Sequence, residues 1–425
     1  MQRVTRSGIA LLLSLGACGG NDDDGDRSIR PEMHPSWRRA RVVIADADAP
    51  RLSLIDVELS ELVGEVPLAR PASALTVSSS GEHVLVAHGG SAEVVYAGVA
   101  LLDHSEGATD ADAPHIHVYK FPPKRIDYPL DGVGQPRITA HEDRFGLLFP
   151  GDDTEPARAG SALSFAEATL YEEPPSPPER LTLPSPYAGV AFPLSGRVLI
   201  AGPEGVTAHT PQGAATTLAD TCGASPALAW AAGHAVLACD TALLVIQRSG
   251  SDLTTTAIPY ADGAARPATL QGHPDRPIVL AHHGEAALTR YDLADLTGAA
   301  PLPTRLSLPA EPCDFGLEPG YGKTVTVLAQ DGTIYQLDAD DGSTLAQRDL
   351  LAPFACTDLV RPRLAQTPAR AYVSDPRQRE VHELWLDHAL ERLNQWPVQG
   401  TPSLLVVAGI DEETRNLGDL TDVSR

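Results

Sequence analysis

The sequence predicts an all-β chain folded as a single β-propeller of four-stranded blades, eight in number, or seven should one weak repeat be miscounted. Three observations carry this. From residue 41 onward the chain is a series of short β-branched or alternating apolar runs separated by Gly, Pro, Asp and Ser, with almost no helical period. A two-strand phrase recurs seven times, starting near residues 73, 136, 188, 226, 267, 314 and 362. These starts lie 38 to 63 residues apart, centred in the range of four-stranded blades. Finally, the two ends are complementary. RVVIADADAPRLSLIDVELSELVGEVPL supplies three strands without a first one, and TPSLLVVAG at 401–409 supplies a lone first strand. Joining them closes the ring and removes exposed sheet edges.

Taken in order, the chain opens with MQRVTRSGIALLLSLGACGG, in which Arg3 and Arg6 precede an apolar run of signal-peptide length. Leu15-Gly16-Ala17-Cys18 is similar to the bacterial lipobox, which makes Cys18 the expected lipidated N-terminus and residues 1–17 a lipoprotein signal; a plain secretory signal is the alternative. The segment 18–40 is acidic and polar and reads as a solvated tether. The propeller then spans 41–409, with 410–425 a flexible tail. The repeated phrases include ALTVSSSGEHVLVAHG, RITAHEDRFGLLFPGD and RLAQTPARAYVSDP. Two stretches, about 103–114 and 152–178, interrupt the pattern and read as surface insertions.

Composition limits the function. With 32 Lys and Arg against 56 Asp and Glu, the formal charge of −24 excludes a phosphate-backbone partner, which needs clustered cations. No apolar run reaches the 18 or so residues of a spanning helix, so membrane attachment is expected through the lipid anchor only. Gly19 after the expected lipidated Cys lacks the Asp that retains some lipoproteins at the inner membrane, which points to the outer one. GxSxG, HExxH, P-loop and GxGxxG motifs are missing, and the only lysines are Lys120, Lys124 and Lys323. The chain reads as a non-enzyme.

Export makes disulfides durable, and setting Cys18 aside leaves Cys222, Cys239, Cys313 and Cys356. Of three possible pairings, Cys222–Cys239 and Cys313–Cys356 are favoured because each bridge then brackets a local unit. A thiolate metal site is the alternative, though no CxxC spacing supports it.

Six of the fourteen histidines lie between residues 83 and 141, where a uniform spread would place about two. His115 and His117 share a strand face if HIHVYKF is extended, so both imidazoles could reach one ion. His104 is the expected third ligand, with Asp103, His88 or His141 completing the shell. Glu106, Asp110 and Asp112 lie in the same acidic loop and could collect cations. Zinc suits imidazole-rich sets. The histidines could instead merely decorate a solvated edge. His282 and His283 would point to opposite faces of a strand end. His234, His382 and His388 lack a nearby His or Cys and read as surface or edge residues.

HIHVYKFPPKRIDYPLDG followed by RITAHEDRFGLLFPGD resembles the periplasmic zinc metallochaperones of the AztD type, whose insertion is rich in His and Asp. CGASPALAWAAGHAVLACD resembles that family's paired-cysteine blade, and the stretch from RPRLAQTPARAYVSDP to LLVVAG its closing blade and return strand. The resemblance extends over most of residues 70–409. It implies a zinc-binding β-propeller that hands zinc to the solute-binding protein of a zinc ABC importer. Where the family carries closely spaced D-H-G-D-H, this chain has Asp103-His104 followed by Ser105-Glu106-Gly107. A lipid-anchored zinc propeller is therefore the leading expectation. An envelope interaction scaffold with a decayed metal site and a lactonase-like hydrolase are the alternatives.

Overall fold

A computed structural model describes residues 37–103, 116–154, 158–211, 213–260, 264–294, 296 and 303–412. The expected signal, Cys18, most of the tether and the end of the tail lie outside the described residues, as do His104, Glu106, Asp110, Asp112 and His115.

Eight four-stranded antiparallel sheets form the blades of a ring. Blade 1 takes its innermost strand from the C-terminus, Pro402–Glu412, and its other three from the N-terminus: Trp37–Asp46, Arg51–Asp56 and Glu61–Pro67. Blade 2 consists of Ala74–Val77, His83–His88, Ser91–Tyr96 and Lys124–Asp131, and blade 3 of Arg137–His141, Arg144–Phe149, Ser161–Ala166 and Glu179–Thr182. Blades 4 to 8 occupy residues 190–219, 228–259, 269–307, 312–349 and 364–397. The seven sequence phrases are the first two strands of blades 2 to 8, and the joined ends complete the eighth blade. Blade 1 extends slightly beyond 41–409, because Trp37 to Ala40 pair with residues 409–412. The described residues include no helix long and apolar enough to cross a membrane.

Why the second strand of each blade reads as a continuous apolar run follows from its position between two neighbours. Successive side chains point to opposite sheet faces, and here both faces are covered. Val43 and Val84 pack between blades 1 and 2, whereas Val42 turns to blade 8 and Leu85 to blade 3. The buried core thus divides into eight clusters, one at each interface between consecutive blades, including blade 8 against blade 1. Each fully buried Phe or Leu, such as Phe149, Phe192 or Leu147, contributes about 1.5–3 kcal/mol.

One expectation needs correcting. The insertion assigned to 152–178 is interrupted by Ser161–Ala166, the third strand of blade 3, in which Leu163 and Phe165 are buried. Its Ser and Ala content weakens the strand signal, but Ser164 donates to the carbonyl of Phe145 and so fits a dry sheet face. The remainder is two shorter connections. The insertion near 103 is a two-stranded excursion, Val99–Asp103 paired with Ile116–Lys120, leaving blade 2 between its third and fourth strands.

Both favoured disulfides are present. Cys222–Cys239 ties the entry of blade 5 to the end of its second strand, and Cys313–Cys356 ties the first strand of blade 7 to the connection into blade 8. They enclose separations of 17 and 43 residues, for which chain entropy gives about 3 and about 4 kcal/mol. Replacing both cysteines of one pair by Ala is therefore expected to lower the unfolding free energy in urea, more for the 313–356 pair. Equal stability of parent and variants would contradict a structural role for the bridges.

Candidate metal centre

The propeller has two ends. First-to-second and third-to-fourth strand connections lie at one, which also bears the insertion; second-to-third turns lie at the other. The neck of the insertion is clamped by blade 1. Arg41, on the strand Trp37–Asp46, donates through Nη1 to the carbonyls of Ala97 and Phe121, both at 2.7 Å. Gly98 between them has φ +79°, and a Cβ there would meet Arg41 Nη1 and the Phe121 carbonyl. The Arg41 guanidinium lies 3.7 Å from Asp56, which is fully buried and also receives Lys120 Nζ at 2.7 Å. Lys120 reaches Glu58 at 2.7 Å, and Arg39 reaches Glu58 at 2.8 Å. Because Lys120 ends the returning insertion strand, five charges from two blades fix where the hairpin leaves the body.

Next to this neck stands His83, the first residue of the second strand in blade 2 and fully buried. Its Nδ1 donates to Oε1 of Glu167 at 2.6 Å, since a carboxylate can only accept. Ser80 also donates to that oxygen, at 2.7 Å. Burial opposes charge on Glu167, but hydrogen bonds from His83, Ser80 and Ser78 outweigh it and hold the carboxyl below its usual range. With Nδ1 so engaged, Nε2 is buried without a hydrogen-bond partner. The ring lies between Tyr96 and Tyr171, with centroids 5.6 and 5.4 Å away, and Tyr96 in turn lies 6.3 Å from Phe121 of the neck. An imidazole whose second nitrogen is fixed by a carboxylate is the usual form of a metal-ligating histidine. The orphaned Nε2 therefore fits zinc.

The expected ligands are distributed unevenly over this frame. Asp103 ends the outgoing insertion strand, and the Cα of His117 pairs with that of Leu102 on the returning one. His141 ends the innermost strand of blade 3 at the insertion end. Its ring is stacked on Trp230 of blade 5, centroids 3.5 Å apart, and burial pushes its pKa down to about 4. His88 lies at the far end of its strand from His83, opposite Ser91 instead of Tyr96. It is buried beside Glu93, with Nε2 to Oε2 3.6 Å, and sits at the end of the propeller away from the insertion. Five residues of strand, at about 3.3 Å each, separate His88 from His83. His88 is therefore not brought to the neck of the insertion.

No known family profile matches the chain. Among solved structures, it is similar to AztD from Citrobacter koseri, with 22% identity and a TM-score of 0.75 over 87% of this chain and 98% of that one. The apo form of the same Citrobacter koseri protein gives 21% identity and a TM-score of 0.75, over 89% and 100%. The propeller has the AztD fold. The dihydro-heme d1 dehydrogenase NirN, in complex with DHE, is more distant, with 11% identity and a TM-score of 0.57 over 89% of this chain and 77% of that one.

On this AztD-like body a second group stands out. His382, read from sequence as a surface or edge residue, is 2% exposed and lies with Asp375 and Glu380 so that one ligand atom of each falls within 4.8 Å of the others. Burial lowers the pKa of His382 against the pull of Glu380 and Asp375. The signal was present as Asp-x₄-Glu-x-His, but its partners are carboxylates met across a hairpin, not other His or Cys residues. Sequence reasoning did not single out His83 as a candidate because its orienting Glu167 is 84 residues away.

Glu167 supplies a pH test. Its depressed folded value means that its stabilisation is fully present above the unfolded Glu value of roughly 4.3 and is lost as pH falls through the folded one. Glu167→Gln keeps an acceptor for His83 and removes the charge. It is expected to cost about 1–2 kcal/mol at neutral pH and progressively less below about pH 4 in urea unfolding. A constant difference across that range would contradict the ionised pairing.

Proposed function

We propose that this chain is a non-enzymatic, envelope-located propeller that binds zinc at its insertion end for storage or transfer. The observation that carries this is the buried His83 Nε2, left without a partner while Glu167 fixes the other ring nitrogen. His83 stands at the base of the strand pair that bears Asp103 and His117. His83 is the fixed ligand in this reading, and the insertion residues Asp103, His104, His115 and His117 supply the rest from a segment rich in imidazole and carboxylate. The AztD-type resemblance of the sequence supports zinc as the metal and a solute-binding protein of a zinc importer as the recipient. Lipidation at Cys18 would keep the propeller at the envelope, within reach of such a partner.

Zinc bound here would be held by neutral imidazole, so affinity falls as pH drops through roughly 6.5, the ordinary histidine value. Glu167 orients the ring, and the Arg41 clamp fixes the neck of the insertion. Transfer then amounts to exchange of the insertion ligands for those of the recipient.

Competition of metal-free protein, prepared without a histidine tag, against a chromophoric chelator tests the reading. The parent is expected to bind zinc at micromolar concentration or below, and His115→Ala/His117→Ala or His83→Gln to lose this tight binding with unchanged circular dichroism. Glu167→Gln is expected to weaken it about 10- to 100-fold. A parent that binds no zinc would leave the interaction-scaffold reading in its place. Variants that bind as tightly as the parent would refute the ligand assignment.

A further inference from the structure

The end of the propeller away from the insertion carries a feature that the insertion-end reading does not use. In blade 8 the second strand ends at Asp375 and the third begins at Glu380, and these two are direct cross-strand partners. Two carboxylates placed opposite each other repel, so such a pair needs a compensating cation. Among the described residues, neither pairs with a lysine or arginine. Asp375 is buried, and its Oδ1 accepts from the backbone amides of Arg377 and Gln378 at 2.9 and 3.1 Å, which leaves Oδ2. Glu380 takes the Gln395 side-chain amide on Oε2 and leaves Oε1, 3.3 Å from His382 Nε2. His382 lies two residues further on and so shares the face of Glu380. It is 2% exposed, and neither ring nitrogen has a hydrogen-bond partner.

Comparison with the same position in other blades shows what is missing. In blade 1 the equivalent strand end is Asp46, and Arg51 sits opposite it at 2.9 Å. In blade 2 the acid and the imidazole are exchanged: His88 replaces Asp375 and Glu93 replaces His382 in the register. There Glu93 is neutralised by Arg125 at 2.9 Å and accepts from the Ala69 amide. Blade 8 alone of these three combines two carboxylates with an imidazole, and although Arg377 and Arg379 lie in its turn and Arg392 acts on His382, no lysine or arginine among the described residues forms an ion pair with either carboxylate.

We propose that Asp375, Glu380 and His382 form a second divalent-metal site, at the opposite end of the propeller from the insertion. Two carboxylate oxygens and one imidazole nitrogen suit zinc or a similar first-row ion, whereas the imidazole argues against magnesium. Three protein ligands leave open coordination positions, and Glu380, less buried than the other two, forms the side of the site that meets solvent. The site is independent of the insertion ligands, so either can fail alone.

The test uses the full chain with the first site removed, as His83→Gln/His115→Ala/His117→Ala. Zinc sulfate is titrated into this metal-free background by calorimetry and followed by thermal unfolding. One remaining zinc per chain and a rise in Tm with zinc are expected. Adding Asp375→Asn/Glu380→Gln, which keeps the hydrogen bonds to the turn amides and Gln395, is expected to abolish that event or weaken it at least tenfold. Without metal, the same variant is expected to melt no lower than its background, because the repulsion is gone. His382→Gln provides a second route to the same loss if the double variant folds poorly. A background that binds no zinc, or equal binding after these substitutions, would overturn the proposal.

Discussion

Ring closure by two distant segments is the constraint on which the rest of the structure depends. Pro402–Glu412 and Trp37–Asp46 pair through ten registered positions, with a single irregularity at Ala45 and Asp46. Without that pairing, blade 1 has no innermost strand, and the apolar clusters between blades 8 and 1 and between blades 1 and 2 lose one wall. The same strand carries Arg39 and Arg41, so the closure that completes the ring also fixes the neck of the insertion. Stability of the scaffold and placement of the histidine-bearing hairpin are thus coupled through one strand.

Polar chemistry is held at the rims because the blade interfaces exclude water. Strand ends are rigid, and a buried imidazole there can be held by a neighbouring carboxylate. His83 is held in this way by Glu167, and His382 lies beside Glu380 and Asp375 at the opposite end. The eight clusters between the blades are apolar. A cavity of about 270 Å³ opens between the innermost strands of blades 6, 7 and 8. Its acidic residue Asp314 accepts from the amides of Phe315 and Leu364, so the carboxylate there has a structural task.

The fold was legible in the sequence because both-faces-buried strands leave continuous apolar runs, and the unpaired first and last strands are visible as a mismatch at the two ends. The cysteine pairs were legible because each bracketed a local unit. Ser161–Ala166 was hidden, since a strand with Ser and Ala at alternate positions carries little hydrophobic signal. Candidate ligands form a visible pattern only where they are neighbours in sequence, as in His115-Ile116-His117, of which His115 lies outside the described residues. His83 and Glu167 meet through packing of blade 2 on blade 3, and the two ends of the blade 2 strand, His83 and His88, cannot be told apart by spacing. His382 was passed over because a histidine among carboxylates across a hairpin lacks the compact pattern of a motif.

The central claim is that the insertion end of this AztD-like propeller binds zinc through a fixed histidine at the base of a His-rich hairpin. Zinc-edge anomalous diffraction from crystals of the zinc-loaded chain tests it most directly. The account predicts an anomalous peak at bonding distance, about 2.0–2.1 Å, from His83 Nε2, with insertion residues completing the shell. Zinc-loaded crystals with no peak at His83, its Nε2 still buried and unpartnered, would contradict it.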